Sequence, residues 1–484
     1  MLFLSPDKPA QCRIMTDSRE IYHSYFENLA SKRLLWKRRN RFYHKILEKH
    51  FRFIIPEGSR VLELGCGTGE LLNAVKPSTG VGIDFSEGML KIARQKFPQL
   101  DFILADASEF NSNEKFDYII LSDLLSSLWD IQAVIRNIQN FSHPGTKLVI
   151  SNYNYIWEPF LRFVEFIGLK AKQPLQNWLT SGDIKNLLEL ENFEMIRIER
   201  KLLFPKYFPV LNLLINGLLA NLPGINRINL IQIITARPRQ RPKCDYSVSI
   251  VIPARNEAGN IENAIKRTPK FGKQQEFIFI EGNSDDNTWE EMQRVKTTYP
   301  EIDIKLMKQS GKGKGNAVRE AFAKAKGDIL MILDADLTTP PEDMPKFYYA
   351  LTENHGEFIN GCRLVYPMEK QAMRFLNYLG NKFFSWFFSF ILGQRLKDTL
   401  CGTKVLFRSD YELIARNRNY FGEFDPFGDF DLLFGAAKLN LKITEIIVRY
   451  REREYGSTQI SRFRHGLLLL KMSLFAARKI KFFA

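Results

Sequence analysis

Two aspartates one residue apart, Asp334 and Asp336, follow an apolar run in the stretch ILMILDADLTTPPEDM, residues 329–344. If one strand continues through both acids, their side chains point to the same face, because residues two apart in a strand do so. Two carboxylates that close raise one another's pKa unless a cation lies between them. The spacing therefore predicts a bound metal ion between the two carboxylates.

A second group of residues, in the first half of the chain, could hold a nucleotide. The segment VLELGCGTGELL, residues 61–72, has three glycines directly after a predicted strand: Gly65, Gly67 and Gly69. Glycines here allow a tight turn and a close approach of the backbone to a ligand. The acids near them are Glu63, Asp84 and Asp106. An acid at the end of the second strand, as Asp84 is, can accept hydrogen bonds from ribose hydroxyls.

These residues closely resemble class I S-adenosylmethionine-dependent methyltransferases over roughly residues 17–237. The resemblance implies a seven-stranded Rossmann-like sheet, with S-adenosylmethionine over the glycines, the ribose at Asp84 and the adenine at Asp106. It also implies that the basic, aromatic segment 24–47 folds over cofactor and substrate; a solvated helix face is the alternative. Asp123, after the fourth predicted strand, is a candidate base for the methyl acceptor, or else a helix cap.

Further polar positions in the second half of the chain fit a nucleotide pocket. They lie in VSIVIPARNEAGNIENAI, FIEGNSDDNTWEEM and GKGKGNAVREAF, and are Pro253, Asn256, Glu257, Ser284, Asp286, Thr288 and Lys314. With the two aspartates they resemble family 2 glycosyltransferases of the GT-A fold. The resemblance implies that these residues and Asp334 bind a nucleotide sugar. It also implies that Asp334 and Asp336 hold Mg²⁺ or Mn²⁺, which such acids bind together with diphosphate oxygens. Glu281-Gly282 replaces the usual acid pair, which leaves the nucleobase open.

Downstream segments resemble the dolichyl-phosphate mannosyl- and glucosyltransferases. The matching positions are Arg363, Arg374, Asp398, Lys404, Arg453, Gly456 and Thr458. The resemblance implies that Arg363, Arg453 and Asp336 take part in catalysis and that Arg374 and Lys404 bind an acceptor phosphate. The family's final lysine is absent: Gln459 stands there, and Arg462 or Arg464 could replace it.

Two acceptor types remain open because they need different chemistry. A lipid phosphate is anionic at neutral pH and needs only positioning by cations, which the many arginines and lysines favour. A sugar hydroxyl needs a general base, for which Asp429 in FDPFGDFDLLFGAAK is the candidate and Asp431 a secondary one. An inverting, hydroxyl-directed glycosyltransferase is therefore the alternative.

The elements that must position these residues form two α/β patterns, because short apolar runs alternate with amphipathic segments twice. In the first half the predicted strands are 61–65, 81–85, 101–105, 116–122, 146–151, 193–203 and 228–236. In the second half they are 247–253, 276–282, 302–308, 328–336, 357–363 and 442–450. We predict a methyltransferase domain at 17–237, a linker at 238–246, and a GT-A domain with C-terminal amphipathic helices at 247–484.

Composition points to an anionic surface as partner. The formal net charge is +15, with 39 phenylalanines and 45% hydrophobic residues. No nucleic-acid-binding motif is visible, and basic residues lie beside aromatic stretches, which favours a membrane surface over nucleic acid. Five scattered cysteines without a CxxC pair indicate a reducing compartment. Without a signal sequence or an apolar run of about 18 residues, the expected location is cytoplasmic, peripheral on the inner face of the cell membrane.

Three apolar segments are candidates for that membrane contact. KFFSWFFSFILG (382–393) and the C-terminal segment 462–484 fit interfacial helices, with burial in the core or a dimer interface as the alternative. The proline-bounded segment 203–227 fits either a helix buried against the sheet or a membrane or partner contact.

Together these patterns predict a bifunctional enzyme. One half transfers a sugar to a polyprenyl phosphate or related surface-glycan acceptor, and the other methylates a glycan or lipid-linked acceptor. A different hypothesis is that one half only binds its cofactor. Donor sugar, stereochemical outcome and oligomeric state leave no signal in the sequence.

Overall fold

The computed structural model describes residues 10–170, 173–174, 176–239, 244–365, 375–418, 428–451, 453, 455 and 462–482. The chain forms two compact units that divide at residues 240 and 241. Each unit is built on a mixed sheet of seven strands with helices packed against it. The fold class is therefore α/β in both halves, as the alternating apolar pattern predicts.

The strands of the N-terminal unit are β1 (Arg60–Leu64), β2 (Thr79–Asp84), β3 (Asp101–Leu104), β4 (Phe116–Ser122), β5 (Ser142–Tyr153), β6 (Phe193–Lys201) and β7 (Ile231–Pro238). Their order across the sheet is β3-β2-β1-β4-β5-β7-β6. The first five strands of this order are parallel, and β7 runs antiparallel to both of its neighbours. The carboxyl ends of β1, β2 and β4 therefore meet at one edge, where the glycines, Asp84 and Asp123 lie.

The helices of this unit are α1 (Ala10–Arg39), α2 (Arg41–Ile54), α3 (Glu70–Ala74), α4 (Glu87–Lys96), α5 (Ile131–Ile138), α6 (Glu158–Phe166), α7 (Ser181–Leu190) and the short α8 (Pro209–Asn212). The core lies between helices and sheet. Leu62 and Ile119, in adjacent strands, are fully buried in it, as are Ile184 and Leu188 of α7. Burial on both faces explains why the central strands read as continuous apolar runs.

The strands of the C-terminal unit are β8 (Ser247–Ala254), β9 (Gln274–Glu281), β10 (Asp303–Lys308), β11 (Ile329–Ile332), β12 (Phe358–Cys362), β13 (Lys404–Phe407) and β14 (Ile443–Ile447). Their order is β10-β9-β8-β11-β13-β12-β14, with β13 antiparallel to β11 and β12. Strands β10, β9, β8 and β11 are parallel, so their carboxyl ends share one edge.

The helices of this unit are α9 (Ile261–Lys266), α10 (Thr288–Thr298), α11 (Lys314–Lys324), α12 (Met344–Thr352), α13 (Phe375–Leu392), α14 (Arg408–Arg416), α15 (Asp429–Lys438) and α16 (Arg462–Ile480). α13 buries Phe388 against the rings of Phe430 and Phe434 of α15, and it also contacts α16. The opposite face of α13 exposes 47% of Phe383 and 57% of Trp386. No helix in the described part of the chain is long and apolar enough to cross a membrane.

Three details differ from the sequence-based expectations. Strand β11 ends at Ile332, so the two aspartates lie in the following turn and not in the strand. Strand β13 was not predicted, because it has only four residues and belongs to a segment interpreted as a phosphate motif. Segment 203–227 is not a helix buried against the sheet: after α8 it continues as a π-helical turn, Leu213–Leu218, and much of its apolar surface is exposed.

Candidate active sites

The glycine loop after β1 adopts a backbone conformation that favours glycine. Gly65, Gly67 and Gly69 have φ values of +71°, +53° and +76°, in the left-handed region that L side chains rarely adopt. The backbone N–H of Gly67 donates to Oδ2 of Asp84 over 2.8 Å. A Cβ on Gly67 would meet no atom within 4 Å, so the loop leaves open space on that side. The loop and the end of β2 are thereby joined around this space.

A cavity of about 360 Å³ opens beside this loop. Its wall includes Gly65, Asp84 and Asp106, three of the predicted cofactor-binding residues, and Trp129. Glu63, Gly67 and Gly69 are not part of the wall. The volume falls in the range of small-molecule sites, and the wall combines aromatic and carboxylate groups, as nucleoside sites do.

Helix α1 forms one side of the cavity, with Tyr22 and His23 in its wall. The carboxylate of Glu27 holds the helix there, because it accepts from the Ser86 hydroxyl (2.6 Å) and from the Gly88 backbone N–H (2.9 Å). Further along α1, the Lys37 ammonium donates to the hydroxyl of Thr68 over 3.0 Å. The basic N-terminal segment therefore lies over the glycine loop, a relationship that only the family resemblance implied.

Glu63 lies beneath the loop and is 2% exposed. Its Oε2 has no hydrogen-bond partner among the described residues, and burial raises the pKa of the carboxyl to about 8. A buried carboxyl oxygen without a hydrogen-bond partner is unusual in a native protein. The cavity beside the glycine loop, with the carboxylates of Asp84 and Asp106 in its wall, fits S-adenosylmethionine, which carries positive charge and hydrogen-bond donors.

A cluster of hydroxyl groups surrounds Asp123 at the end of β4. The Tyr43 hydroxyl donates to Oδ2 of Asp123 over 2.7 Å, and the Ser151 hydroxyl donates to Oδ1 over 3.3 Å. Burial raises the pKa of the Asp123 carboxyl, and its φ of +55° is strained for a residue other than glycine. Asp123 is not a helix cap, since its carboxylate faces these side chains. The sequence suggested Asp123, but it gave no signal for Tyr43 or Ser151, which come from other elements.

In the C-terminal unit, hydrogen bonds join the loops after β8 and β9. The backbone N–H of Asn256 donates to the Ser284 hydroxyl (3.1 Å), and that of Glu257 donates to the Thr288 hydroxyl (3.0 Å). Asp286 in turn accepts from the Thr288 backbone N–H (3.0 Å). The residues of the two predicted nucleotide-sugar motifs are thus neighbours, and Pro253 lies in β8 directly before them.

Each of the two aspartates after β11 is paired with its own cation. The Lys314 ammonium donates to Asp334, and the Arg453 guanidinium donates to Oδ2 of Asp336 over 2.8 Å. Arg453 also donates to Oε1 of Glu257 over 2.8 Å, so it links the two loops. The cations remove the like-charge repulsion that the spacing implied.

The charges at this site shift two carboxyl groups in opposite directions. Burial alone would raise the pKa of Asp334, but the Lys314 ammonium, with Lys404 and Arg363, holds it below its ordinary value. Burial raises the pKa of Glu257 to about 7, because the neighbouring Arg453 only partly offsets it. Gly402 is a site residue that the sequence did not suggest: a Cβ there would overlap Asp334 and Lys314.

The remaining candidates are engaged in different ways. Arg363 binds the buried Asp398 through two parallel hydrogen bonds, Nε–Oδ2 at 2.7 Å and Nη2–Oδ1 at 2.9 Å. Lys404 is fully buried, and its ammonium donates to the Cys401 carbonyl. Asp431 accepts from Nε of Arg418 over 2.9 Å. The positions that lie outside the described residues are Arg374, Gly456, Thr458, Gln459 and the side chains of Asp429, Arg462 and Arg464.

Two carboxylates are a donor set that fits a magnesium or manganese ion shared with a diphosphate, because such ions usually take one or two carboxylates plus substrate oxygens. Within the described ranges, no group of three or more His, Cys, Asp or Glu side chains could hold a metal by itself.

Comparison with known proteins assigns each unit to a class. The model of glycosyl transferase family 2 matches residues 249–413, and a methyltransferase domain model matches residues 35–198. The chain belongs to glycosyltransferase family 2 through its C-terminal unit, and it carries a methyltransferase domain in its N-terminal unit.

Individual relatives match parts of the chain. Glycosyltransferase AglJ of Haloferax volcanii is 30% identical over 224 residues, which is 46% of this chain and 68% of the relative. A dolichol-phosphate mannosyltransferase of Pyrococcus furiosus is 36% identical over 120 residues, 24% of this chain and only 33% of the relative. The N-terminal unit is similar to a solved structure of a SAM-dependent methyltransferase of Thermotoga maritima, described as a possible histamine N-methyltransferase. The sequence identity is 16% and the TM-score 0.36, and the match covers 45% of this chain and 99% of that one. The methyltransferase assignment depends on the family model and the sheet order.

Proposed function

We propose that the C-terminal unit, residues 247–484, transfers a sugar from a nucleotide sugar to a polyprenyl phosphate. The observation that carries this proposal is the charge arrangement at Asp334. The positive charges of Lys314, Lys404 and Arg363 all lower the pKa of its carboxyl group, and Arg453 forms an ion pair with Asp336. Such a concentration of cations around two acids suits anionic groups on both donor and acceptor. The dolichol-phosphate enzyme among the relatives supports a lipid-phosphate acceptor.

Asp334 and Asp336 would hold Mg²⁺ or Mn²⁺, which when bound neutralises the charge developing on the leaving nucleoside diphosphate. Lys314 and Arg453 already lie at these acids, so they are available to bind phosphate oxygens when the donor enters. Pro253, Asn256, Glu257, Ser284 and Asp286 would line the nucleotide pocket. A lipid phosphate is ionised at neutral pH, so the acceptor needs orientation by arginine and lysine and no base.

The N-terminal unit, residues 17–237, methylates a glycan or lipid-linked acceptor in this proposal. S-adenosylmethionine, when bound, supplies an electrophilic methyl group. Asp84, Asp106 and the glycine loop would bind it, and Glu63 would lie next to that loop at the end of β1. Asp123 would accept the proton of the acceptor hydroxyl or amine, because burial raises the pKa of its carboxyl and Tyr43 and Ser151 orient it. Fusion of the units suits modification of the same glycolipid.

The proposed location is the membrane surface, on the cytoplasmic face. The exposed rings of Phe383 and Trp386 lie on one side of α13, where Trp386 stacks on Phe390 with centroids 6.4 Å apart. An exposed aromatic face on one side of a helix fits the interface between lipid headgroups and acyl chains.

Incubation of the purified chain with a panel of radiolabelled nucleotide sugars, Mg²⁺ or Mn²⁺ and undecaprenyl phosphate tests the glycosyltransferase. Label that extracts into organic solvent supports the proposal, and transfer only to soluble sugars contradicts it. The matched control is Asp343→Asn, because Asp343 pairs with Lys346 at the start of α12 and lies outside the site. Calorimetric titration with S-adenosylmethionine tests the other unit separately.

A further inference from the structure

The largest concentration of exposed apolar side chains lies in the methyltransferase unit, in segments 155–169 and 204–228. More than half of the large apolar side chains that are exposed in the described residues belong to these two short segments. Their most exposed members are Phe166 at 87% and Val210 at 85%. Soluble proteins rarely expose so much contiguous apolar surface without a partner.

The two segments form one surface, called here the apolar surface. The indole N–H of Trp157 donates to the Ile228 carbonyl over 2.6 Å, and the Asn154 side chain donates to the Arg227 carbonyl over 2.8 Å. The segments follow the carboxyl ends of β5 and β6, which lie on either side of β7. The sheet therefore brings them to the same edge as the cofactor loop.

The apolar surface borders the proposed methyl-transfer site. The ring of Tyr207 contacts that of Phe42 in α2 at a tilted angle, with the ring centroids 5.5 Å apart. The residue after Phe42 is Tyr43, whose hydroxyl donates to the carboxylate of Asp123. On the other side, the Lys170 ammonium lies 5.4 Å above the ring of Tyr153, which packs against Tyr43. The apolar surface is thus connected to Asp123 through the side chains of Tyr153 and Tyr43.

Charge distinguishes among the possible occupants. Residues 203–228 contain Lys206 and Arg227 but no aspartate or glutamate. The two acids of the other segment are already paired, Glu158 with Arg162 and Glu165 with Lys170. The ammonium of Lys206 donates to the carbonyl of Arg39, at the basic end of α1 where Arg38 and Arg39 are exposed. The surface thus carries a net positive charge, which an anionic lipid layer complements and a second copy of the same surface does not.

We propose that the apolar surface docks the methyltransferase unit on an anionic bilayer and presents its acceptor site to lipid-linked substrates. This membrane contact is additional to the one proposed for α13 in the glycosyltransferase unit. The role of this contact in presenting substrates rests on the proposed methyltransferase function. Membrane docking itself can be measured without methyl transfer.

The test is co-sedimentation of the full chain with vesicles of phosphatidylcholine containing about a third phosphatidylglycerol, and with phosphatidylcholine alone. The double variant Phe166→Glu/Val210→Glu removes apolar groups that are almost fully exposed, so the fold should persist. We expect its partitioning on anionic vesicles to fall by about tenfold or more. Leu190→Glu, at a residue of α7 that is 57% exposed, is the matched control and should bind like the wild type.

Hydrogen exchange gives a readout specific to this surface, because anionic vesicles should protect residues 204–228. Phe383→Glu/Trp386→Glu, which alters only α13, should leave that protection in place. Unchanged partitioning of the Phe166/Val210 variant, or no protection of 204–228, overturns the inference. So does dimerisation in lipid-free solution that the same variant abolishes, since the occupant is then a second copy. Retained S-adenosylmethionine binding by the variant shows that such a failure concerns docking and not the methyltransferase.

Discussion

Arg453 donates to Asp336 across 117 positions of sequence, with 2.8 Å between Nη2 and Oδ2. This contact joins the C-terminal segment to the turn after β11, and the same guanidinium also reaches Glu257 after β8. In the proposed glycosyltransferase, Asp336 would help to hold the metal ion and Arg453 would be available to the donor phosphates. The contact would then link donor binding to the arrangement of three loops.

Arg453→Lys should impair sugar transfer more than it impairs folding. A lysine keeps the charge but cannot bridge Asp336 and Glu257 with a planar fork. We expect kcat to fall by about 10- to 100-fold, with the midpoint of urea unfolding nearly unchanged. Arg451→Lys is the control. The backbone N–H of Arg451 donates to the Thr338 carbonyl, and a change of side chain leaves this hydrogen bond in place. Equal losses in both variants would show that the bridge has no special role.

Gly67→Arg should abolish S-adenosylmethionine binding in calorimetry. Its side chain enters the open space that the loop leaves for a ligand, and its φ of +53° disfavours any L residue. Gly58→Arg is the matched control, because Gly58 also has a positive φ (+82°) and open space but precedes β1, away from the loop. Binding lost in both variants would indicate backbone strain and not blockage of the cofactor.

Asp123→Asn should lower methyl transfer to a membrane lipid extract by about 100-fold or more while S-adenosylmethionine affinity stays within a few-fold. Asparagine tolerates the left-handed backbone of Asp123 (φ +55°) but cannot accept a proton. Transfer of labelled methyl groups and calorimetry measure the two quantities. Rates like those of the wild type would exclude Asp123 as the base.

Glu63 predicts how the stability of the N-terminal unit depends on pH. Its pKa is about 8 in the folded chain, against an ordinary 4.5. Between these values the folded state binds one proton more than the unfolded state, so the free energy of unfolding falls as pH rises. The contribution of this group is up to about 1.4 kcal/mol per pH unit. Glu63→Gln should flatten that dependence in urea titrations from pH 5 to 8, and the exposed Glu57→Gln should not.

Arg363→Met should destabilise the C-terminal unit by about 3–5 kcal/mol, because it leaves the carboxylate of Asp398 buried without its partner. Arg363→Met/Asp398→Asn removes that charge and keeps an amide oxygen as acceptor for one of the two backbone N–H groups, of Arg363 and Leu400, that bond the two carboxylate oxygens. It should recover part of the stability. Sugar transfer that stays low in this stable double variant would support a catalytic role for Arg363, and full recovery would indicate a structural role only.

Sequence patterns predicted what depends on local chemistry. Apolar runs indicated the parallel strands, because strands buried on both faces must be apolar. The glycine loop was recognisable because its left-handed backbone favours glycine. The apolar residues Ala335 and Leu337 suggest that β11 extends past the two aspartates, but the strand ends at Ile332. The backbone N–H of Leu337 donates to the Asp334 carbonyl, and this hydrogen bond closes a turn.

Contacts between distant segments left no local signal. Arg363 and Asp398 each matched a motif, yet their pairing follows from the position of β12 beside β13. Tyr43 and Ser151 meet Asp123 only because α2 and β5 converge on the end of β4. Such relationships depend on the order of the strands in the sheet, which no single segment specifies.

The nature of the attacking group is the most direct test of the central claim. With the donor sugar identified, transfer to undecaprenyl phosphate is compared with transfer to undecaprenol, which has a hydroxyl in place of the phosphate. We predict that Mg²⁺ or Mn²⁺ supports transfer to the phosphate only, and that Asp336→Asn lowers this transfer by about 100-fold. Equal or faster transfer to undecaprenol or to soluble sugars would contradict a phosphate-directed glycosyltransferase.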